Sequence, residues 1–137
     1  MYRIVSTHSM KIACEDDVVL ARRAARELAH ARGFDPFATA AITTAASELA
    51  RNAWTHAGGG TAVIEEVRDG ERLGLRMRFE DSGPGIADLD RALAGGNSTV
   101  RSLGLGLAGS RRLVDDFDIQ TKVGAGTAVT VIKWARF

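Results

Sequence analysis

The 137-residue chain predicts a two-layer α/β (α+β) sandwich with a mostly antiparallel sheet. Three observations lead to this fold class. Two helical segments with apolar residues at helical spacing come first, the apolar period changes to two after Gly58-Gly59-Gly60, and two pairs of short strands are each joined by a glycine-containing turn. Because strands of this kind bury one face against helices, we expect a single domain spanning residues 1–137.

The first half of the chain carries clear helix signals. Residues 2–14 alternate loosely, as in a strand with an interruption. The acidic pair Asp16-Asp17 can cap the helix that follows. Asp35-Pro36 starts a second helix, because proline at the first helical position loses no needed hydrogen bond. This alanine-rich helix should run to about Ala53.

The second half is expected to contain two hairpins separated by helices. Asp69-Gly70 is a hairpin turn signal between the first two strands, and Gly124-Ala125-Gly126 separates the last two. The predicted elements are strands 61–67 and 73–79, a short helix 88–93, a glycine-rich connection 95–103, a helix 107–116, and strands 117–123 and 127–134.

Composition narrows the class of protein. A formal charge of +1 gives no reason to expect a nucleic acid or an anionic membrane as partner, and no apolar run approaches the roughly 20 residues of a membrane helix. The single cysteine, Cys14, has no disulfide partner within the chain, which suits a reducing cytoplasm. It is expected to be a small buried core residue. No Cys/His spacing suggests a zinc site. We therefore expect a cytoplasmic protein.

The first candidate motif is Glu48 and Asn52 in Ser47-Glu48-Leu49-Ala50-Arg51-Asn52. Residues four apart project from one face of a helix. An asparagine carbonyl is a suitable ligand for Mg²⁺, and a carboxylate one turn away can deprotonate a hydroxyl. Taken alone, the pair would more often be an exposed polar face.

The second motif is the turn Asp81-Ser82-Gly83-Pro84-Gly85 at the end of a strand. Its glycines allow a flat ring to approach the backbone, and the carboxylate of Asp81 can accept a hydrogen bond from an adenine amino group. Taken alone, this sequence would be a β-turn capped by its aspartate.

The third motif is the run from Gly104 to Gly109, which matches G-x-G-x-x-G at the head of a predicted helix, where backbone N–H groups favour phosphate. A dinucleotide-binding motif is excluded, because in that motif the glycine pattern follows a strand within a parallel βαβ unit. A Walker lysine is also missing. The remaining alternative is a glycine-rich hinge before a helix.

Together the three motifs resemble the N box and the two glycine boxes of the GHKL ATPase/kinase superfamily, whose fold is the Bergerat type of ATP-binding sandwich. Gly124-x-Gly126-Thr127 resembles the late Gly-Thr element of that family. The strings SELARNAWTHAGGG, EDSGPGI, LGLGLAGSRRLVDDFDIQTKVGAGT and VIKW look like the RsbT-type serine/threonine switch kinases, relatives of the anti-sigma factor kinases of the SpoIIAB and RsbW type.

The resemblance implies ATP and Mg²⁺ as cofactors and a role for each matching residue. Asn52 would hold Mg²⁺, and Glu48 would be the catalytic general base. The remaining implied contacts are nucleotide contacts: Asp81 to the adenine amino group, Gly83 and Gly85 along the base, Thr127 in support, and Gly104, Leu105 and Gly106 to the phosphates. For His56 and Arg101 two roles remain possible: a contact to phosphate, or an ordinary solvent-exposed side chain.

The resemblance also implies partners. The substrate would be a STAS-domain antagonist or scaffold protein of a bacterial stress-response (stressosome) pathway, and the released kinase would activate a PP2C-type phosphatase. The alternative is an anti-sigma factor that acts mainly by nucleotide-dependent sequestration of a sigma factor. Both readings share every nucleotide residue, so the motifs do not separate them, and neither requires a nucleic acid or a membrane.

Overall fold

A computed structural model describes residues 1–94 and 101–136, with residues 101–105 described by their backbone alone. The elements are β1 (Arg3–Ile12), α1 (Glu15–Ala31), α2 (Pro36–Ala57), β2 (Gly60–Asp69), β3 (Arg72–Asp81), α3 (Leu89–Ala94), α4 (Arg101–Leu113), β4 (Asp116–Lys122) and β5 (Gly126–Trp134). The five strands form one sheet in the order β1-β2-β3-β5-β4, and every neighbouring pair is antiparallel. The predicted fold class is confirmed.

The second helix begins as its sequence predicts and ends later. The carboxylate of Asp35 accepts a hydrogen bond from the Ala38 N–H at 2.7 Å, with Pro36 in the first helical turn. The helix continues to Ala57, because the first residue to adopt a left-handed conformation is Gly58, at φ 76°. No helix in the described part of the chain combines the length and apolar character needed to cross a membrane.

The first helix corrects the prediction for Cys14. Cys14 is the N-cap residue of α1 and is exposed, so it is not a core residue. The alternation that suggested burial ends at Ile12, where β1 ends and the backbone turns into the helix. Asp16 and Asp17 lie in the first helical turn, and Asp17 accepts a hydrogen bond from the Ala13 N–H at 2.8 Å.

The main core lies between the helices and one face of the sheet. The helices contribute a stripe of fully buried alanines that allow close approach, and the strands contribute larger side chains, each worth roughly 1.5–3 kcal/mol when fully buried. Among the largest fully buried side chains, Ile12, Ile64, Leu75 and Met77 come from the strands, and Ile42 and Leu49 come from α2. On the opposite face, Trp134 lies over Gly74, where a Cβ would come within 2.7 Å of the indole ring.

The last helix differs most from its prediction. It was expected at residues 107–116 and is observed as α4, Arg101–Leu113. Glycine costs only about 1 kcal/mol in a helix interior, so the glycine run is tolerated inside the helix. The helix ends early because Asp115 is used by the sheet: its N–H donates to the Ile132 carbonyl and its carboxylate accepts from the Trp134 N–H. Of the predicted connection 95–103, residues 95–100 lie outside the described part.

Candidate functional site

One side of the site is a polar row on α2. Glu48 and Asn52 lie one helical turn apart and both are partly exposed, while the residues that follow each of them, Leu49 and Ala53, are buried. The Nδ2 atom of Asn52 is buried and has no hydrogen-bond partner within the described residues. Because an unpaired buried amide carries a desolvation cost of about 1–3 kcal/mol, it is the natural place for a polar ligand to bind.

The other side is a polar row across three strands. Asp81 on β3 is the cross-strand partner of Thr127 on β5, and Thr127 is in turn the partner of Thr121 on β4. The two threonine hydroxyls are 2.9 Å apart, and the Thr121 hydroxyl also accepts from the Ile86 N–H at 2.9 Å. Thr121 was not identified from the sequence, although the register of the last hairpin places it opposite Thr127.

The turn after Asp81 is held by backbone contacts. The Gly83 N–H donates to the Asp81 carboxylate at 2.9 Å, and the Gly124 N–H donates to the Pro84 carbonyl at 2.8 Å. Gly85 has φ 75°, and a Cβ at this position would overlap the Lys122 carbonyl. The β4–β5 hairpin therefore fixes the position of the loop that follows Asp81.

The two sides enclose a cavity of about 40 Å³. It brings together five predicted nucleotide contacts: Asn52, His56, Asp81, Gly85 and Thr127. Glu48 and Gly83 are not among its lining residues. A cavity of this size holds about one water molecule, so a purine ring requires its walls to separate.

His56 is exposed on one side but lines the cavity on the other. Desolvation of its ring lowers the pKa below the ordinary value of 6.5. The imidazole is therefore neutral at pH 7 in this conformation, and a phosphate contact through a charged His56 would require its pKa to rise.

Helix α4 covers the phosphate end of the predicted site. A Cβ at Gly106 would come within 2.8 Å of Asn52 Nδ2, and Leu107 forms part of the cavity wall. The glycine motif lies inside α4, which begins three residues before Gly104, so the prediction that the motif forms the head of the helix is wrong. In a helix, the N–H groups of Leu105 and Gly106 belong to the hydrogen-bond ladder of the helix itself. The Arg101 side chain lies outside the described atoms.

Comparison with known proteins identifies the family. Residues 13–133 match the family model described as the histidine kinase-like ATPase domain. The chain belongs to this family. It is also 44% identical over 127 residues to the serine/threonine-protein kinase RsbT of Bacillus subtilis (strain 168), covering 93% of this chain and 96% of that protein. The predicted resemblance to RsbT-type kinases, and with it the enzyme class, is confirmed.

Two solved structures show the same fold at lower identity. The structure of the RsbU and RsbW domains of Rv1364c from Mycobacterium tuberculosis matches with a TM-score of 0.68 and 21% identity, covering 97% of this chain and 34% of that chain. The SiaB-SiaC complex from Pseudomonas aeruginosa matches with a TM-score of 0.56 and 14% identity, covering 96% of this chain and 91% of that chain. ATP is the nucleotide that membership of this ATPase family implies.

Proposed function

We propose that this protein is an ATP- and Mg²⁺-dependent serine/threonine kinase that phosphorylates a STAS-domain protein and acts as a partner switch. The observation that carries the proposal is the cavity between α2 and the strand ends, where the unpaired amide of Asn52 lies opposite Asp81 and Thr127. The similarity to RsbT over nearly the whole chain supports the acceptor chemistry.

Adenine recognition is assigned to the strand side of the site. The Asp81 carboxylate uses one oxygen to hold the Gly83 N–H, which leaves acceptor capacity for an adenine amino group. Thr127 is beside it in the same cross-strand row, with its hydroxyl oriented by Thr121. Gly83 and Gly85 are assigned to the loop along the base, where their lack of a side chain lets this loop pack against Ala57 and the Lys122 carbonyl.

The residues on α2 fit a magnesium–phosphate group. Mg²⁺ accepts few protein ligands and keeps water and phosphate oxygens, so a single amide oxygen with a nearby carboxylate suffices. Bound Mg²⁺ would supply charge neutralisation, and Asn52 would hold it.

Glu48 is assigned as the general base. Its carboxylate would accept the proton of the serine or threonine hydroxyl while that oxygen bonds to the γ-phosphorus and the bond to the ADP oxygen breaks. The N–H groups of Gly104, Leu105 and Gly106 would bind the phosphates after the first turns of α4 open. His56 and Arg101 are candidate additional phosphate contacts.

The partner assignments rest on the relatives. A STAS-domain protein would be the substrate, and the kinase released from it would activate a PP2C-type phosphatase. The 44% identity to RsbT favours this role over sequestration of a sigma factor. A pull-down with purified candidates of both classes distinguishes the two roles, because a switch kinase retains the phosphatase and an anti-sigma factor retains the sigma factor.

The first test is calorimetric titration with ATP and ADP, with and without Mg²⁺. We expect magnesium-dependent ATP binding that is at least tenfold weaker in Asp81→Asn, since the amide would present a donor where adenine needs an acceptor. Asp118→Asn, an exposed change of the same chemistry on β4, serves as the control. No binding by folded wild-type protein would refute the proposal.

The second test separates binding from transfer. Glu48→Gln should retain ATP binding and reduce phosphorylation of a purified STAS-domain substrate by about 100-fold or more, within the range for loss of a general base. Glu71→Gln, on the exposed β2–β3 turn, should have no effect. Equal phosphorylation rates for Glu48→Gln and wild type would exclude the assignment of Glu48.

A further inference from the structure

A second concave surface lies away from the cavity, between α1 and the N-terminal half of α2. This groove has a volume of about 980 Å³ and is open to solvent. On the α1 side it is lined by one stripe of exposed residues: Val19, Arg22, Arg23, Arg26, Glu27 and His30. Their spacing of three and four residues places them on one face of the helix over about 16 Å, the length of three helical turns.

The groove is strongly basic although the chain as a whole is nearly neutral. Three arginines lie on one wall, and Glu27 is the sole carboxylate among its lining residues. None of the three arginines forms an ion pair with any other residue that the structure describes. Unpaired cations along a concave surface favour an acidic partner.

The groove also has an apolar component. Val19 on its α1 wall remains 45% exposed, and Leu20 and Phe37, the chain neighbours of the lining residues Val19 and Pro36, are 50% and 88% exposed. Exposed large apolar side chains are a feature of interaction surfaces. An apolar strip flanked by cations complements an amphipathic helix that carries aliphatic residues between acidic ones.

The groove leads towards the proposed catalytic residues. Ala40 and Thr44 on α2 line it, and Glu48 and Asn52 continue the same row at intervals of four residues. Thr44 is therefore one helical turn, about 6 Å, from Glu48. A segment bound in the groove would have its end beside the general base.

We propose that this groove docks an acidic amphipathic helix of the protein substrate and so directs the acceptor hydroxyl towards Glu48. The inference rests on the kinase function proposed above and adds the recognition surface for its protein substrate. Nucleic acid fits less well, because it offers no aliphatic surface to Val19, Leu20 and Phe37.

The test uses two synthetic helical peptides of equal length that share one aliphatic face and differ in having either glutamate or lysine at every flanking position. Binding of each labelled peptide to the full chain is measured by fluorescence anisotropy without nucleotide. The double variant Arg22→Glu/Arg26→Glu reverses two of the three arginine charges on the α1 wall of the groove. Arg111→Glu/Arg112→Glu makes the same change in net charge at exposed positions near the end of α4.

The acidic peptide should bind wild type at least tenfold more tightly than the basic peptide, and this preference should weaken with added salt. Arg22→Glu/Arg26→Glu should abolish the preference while its calorimetric affinity for ATP stays unchanged, and the α4 control should keep it. Equal binding of both peptides, an equal loss in both variants, or competition by duplex DNA with the same dependence on Arg22 and Arg26 would overturn the proposal.

The outcome is separable from that of the kinase proposal. Anisotropy reports docking without ATP or phosphoryl transfer, whereas the Asp81→Asn titration reports nucleotide binding without a peptide. If both hold, Arg22→Glu/Arg26→Glu should raise the KM for the protein substrate at least tenfold and leave the KM for ATP unchanged.

Discussion

The backbone of Gly106 lies directly against the side-chain amide of Asn52, so that a Cβ on the glycine would come within 2.8 Å of Nδ2. The same Cβ would be 3.3 Å from the carboxylate of Glu48. The absence of a side chain at position 106 therefore lets helix α4 rest on the two polar residues of α2 without displacing them. In this conformation the helix covers the residues proposed to bind magnesium and to accept the substrate proton.

Gly106→Ala should destabilise the nucleotide-free protein. Overpacking costs about 1–3 kcal/mol, and the higher helix propensity of alanine returns at most about 1 kcal/mol. Gly109→Ala is the matched control, because a Cβ at Gly109 meets nothing within 4 Å. Chemical denaturation should therefore show a lower free energy of unfolding for the first variant and a slightly higher one for the second. Equal stabilisation by both would mean that α4 does not rest on Asn52.

Thr121→Val should weaken ATP binding and its discrimination from GTP. The change removes the hydroxyl that orients Thr127 and leaves the Ile86 N–H without its acceptor, at a cost of about 1–3 kcal/mol. We expect roughly tenfold weaker binding of ATP with a smaller change for GTP. Thr121→Ser should restore both values, since it keeps the hydroxyl. A parallel loss for both nucleotides in calorimetry would indicate a purely structural role.

His56 should contribute a pH-dependent part of the stability. Desolvation lowers its pKa in the folded protein below 6.5, so the unfolded chain binds the proton first as the pH falls. This contribution is fully present above pH 6.5 and decreases below it, towards the folded-state pKa. His56→Gln should reduce the pH dependence of the free energy of unfolding over that window. An unchanged pH dependence would contradict the assignment of this contribution to His56.

Bound nucleotide should raise the pKa of His56, whereas desolvation in the free protein lowers it. If His56 contacts phosphate, bound ATP favours the charged imidazolium and raises the pKa of His56 above its value in the free protein. Proton NMR titration of the ring resonances measures both values. A pKa that ATP leaves unchanged would assign His56 to the wall of the cavity alone.

Glu66 should account for part of the loss of stability in acid. This carboxylate on β2 is 3% exposed, and its hydrogen bond from Arg32 lowers its pKa against the opposing effect of burial, with Arg68 as a second partner. Its contribution is present above about pH 4.5 and is lost as the pH falls through the lowered folded-state pKa. Glu66→Gln should lower the free energy of unfolding by about 1–3 kcal/mol at pH 7 and reduce its dependence on pH below about 4.5. The exposed change Glu71→Gln should do neither.

The α2 half of the site could be predicted because it depends on local geometry. Glu48 and Asn52 share a face in any helix, and Asp35-Pro36 sets the start of that helix. The position of α4 could not be predicted in the same way. Glycine favours a loop by its own propensity, whereas the packing of Gly106 against Asn52 depends on a residue far away in the sequence.

The strand half of the site required long-range information. Asp81 faces Thr127 because β5 inserts between β3 and β4, and no local pattern specifies that strand order. The position of Thr121 could have been predicted from the turn of the last hairpin, which pairs Lys122 with Gly126 and hence Thr121 with Thr127. Cys14 was mispredicted because a periodic pattern was extended past the residue where the strand ends.

The backbone contacts around Asp81 limit how this site can change during evolution. A side chain at Gly85 would overlap the Lys122 carbonyl, and one at Gly126 would overlap the Asp81 carbonyl. Because the obstacle in each case is main chain, no compensating side-chain substitution nearby can make room. If the site binds adenine as proposed, its base preference can change through side chains such as Asp81, Thr121 and Thr127, while the two glycine turns can vary only if both loops are remodelled together.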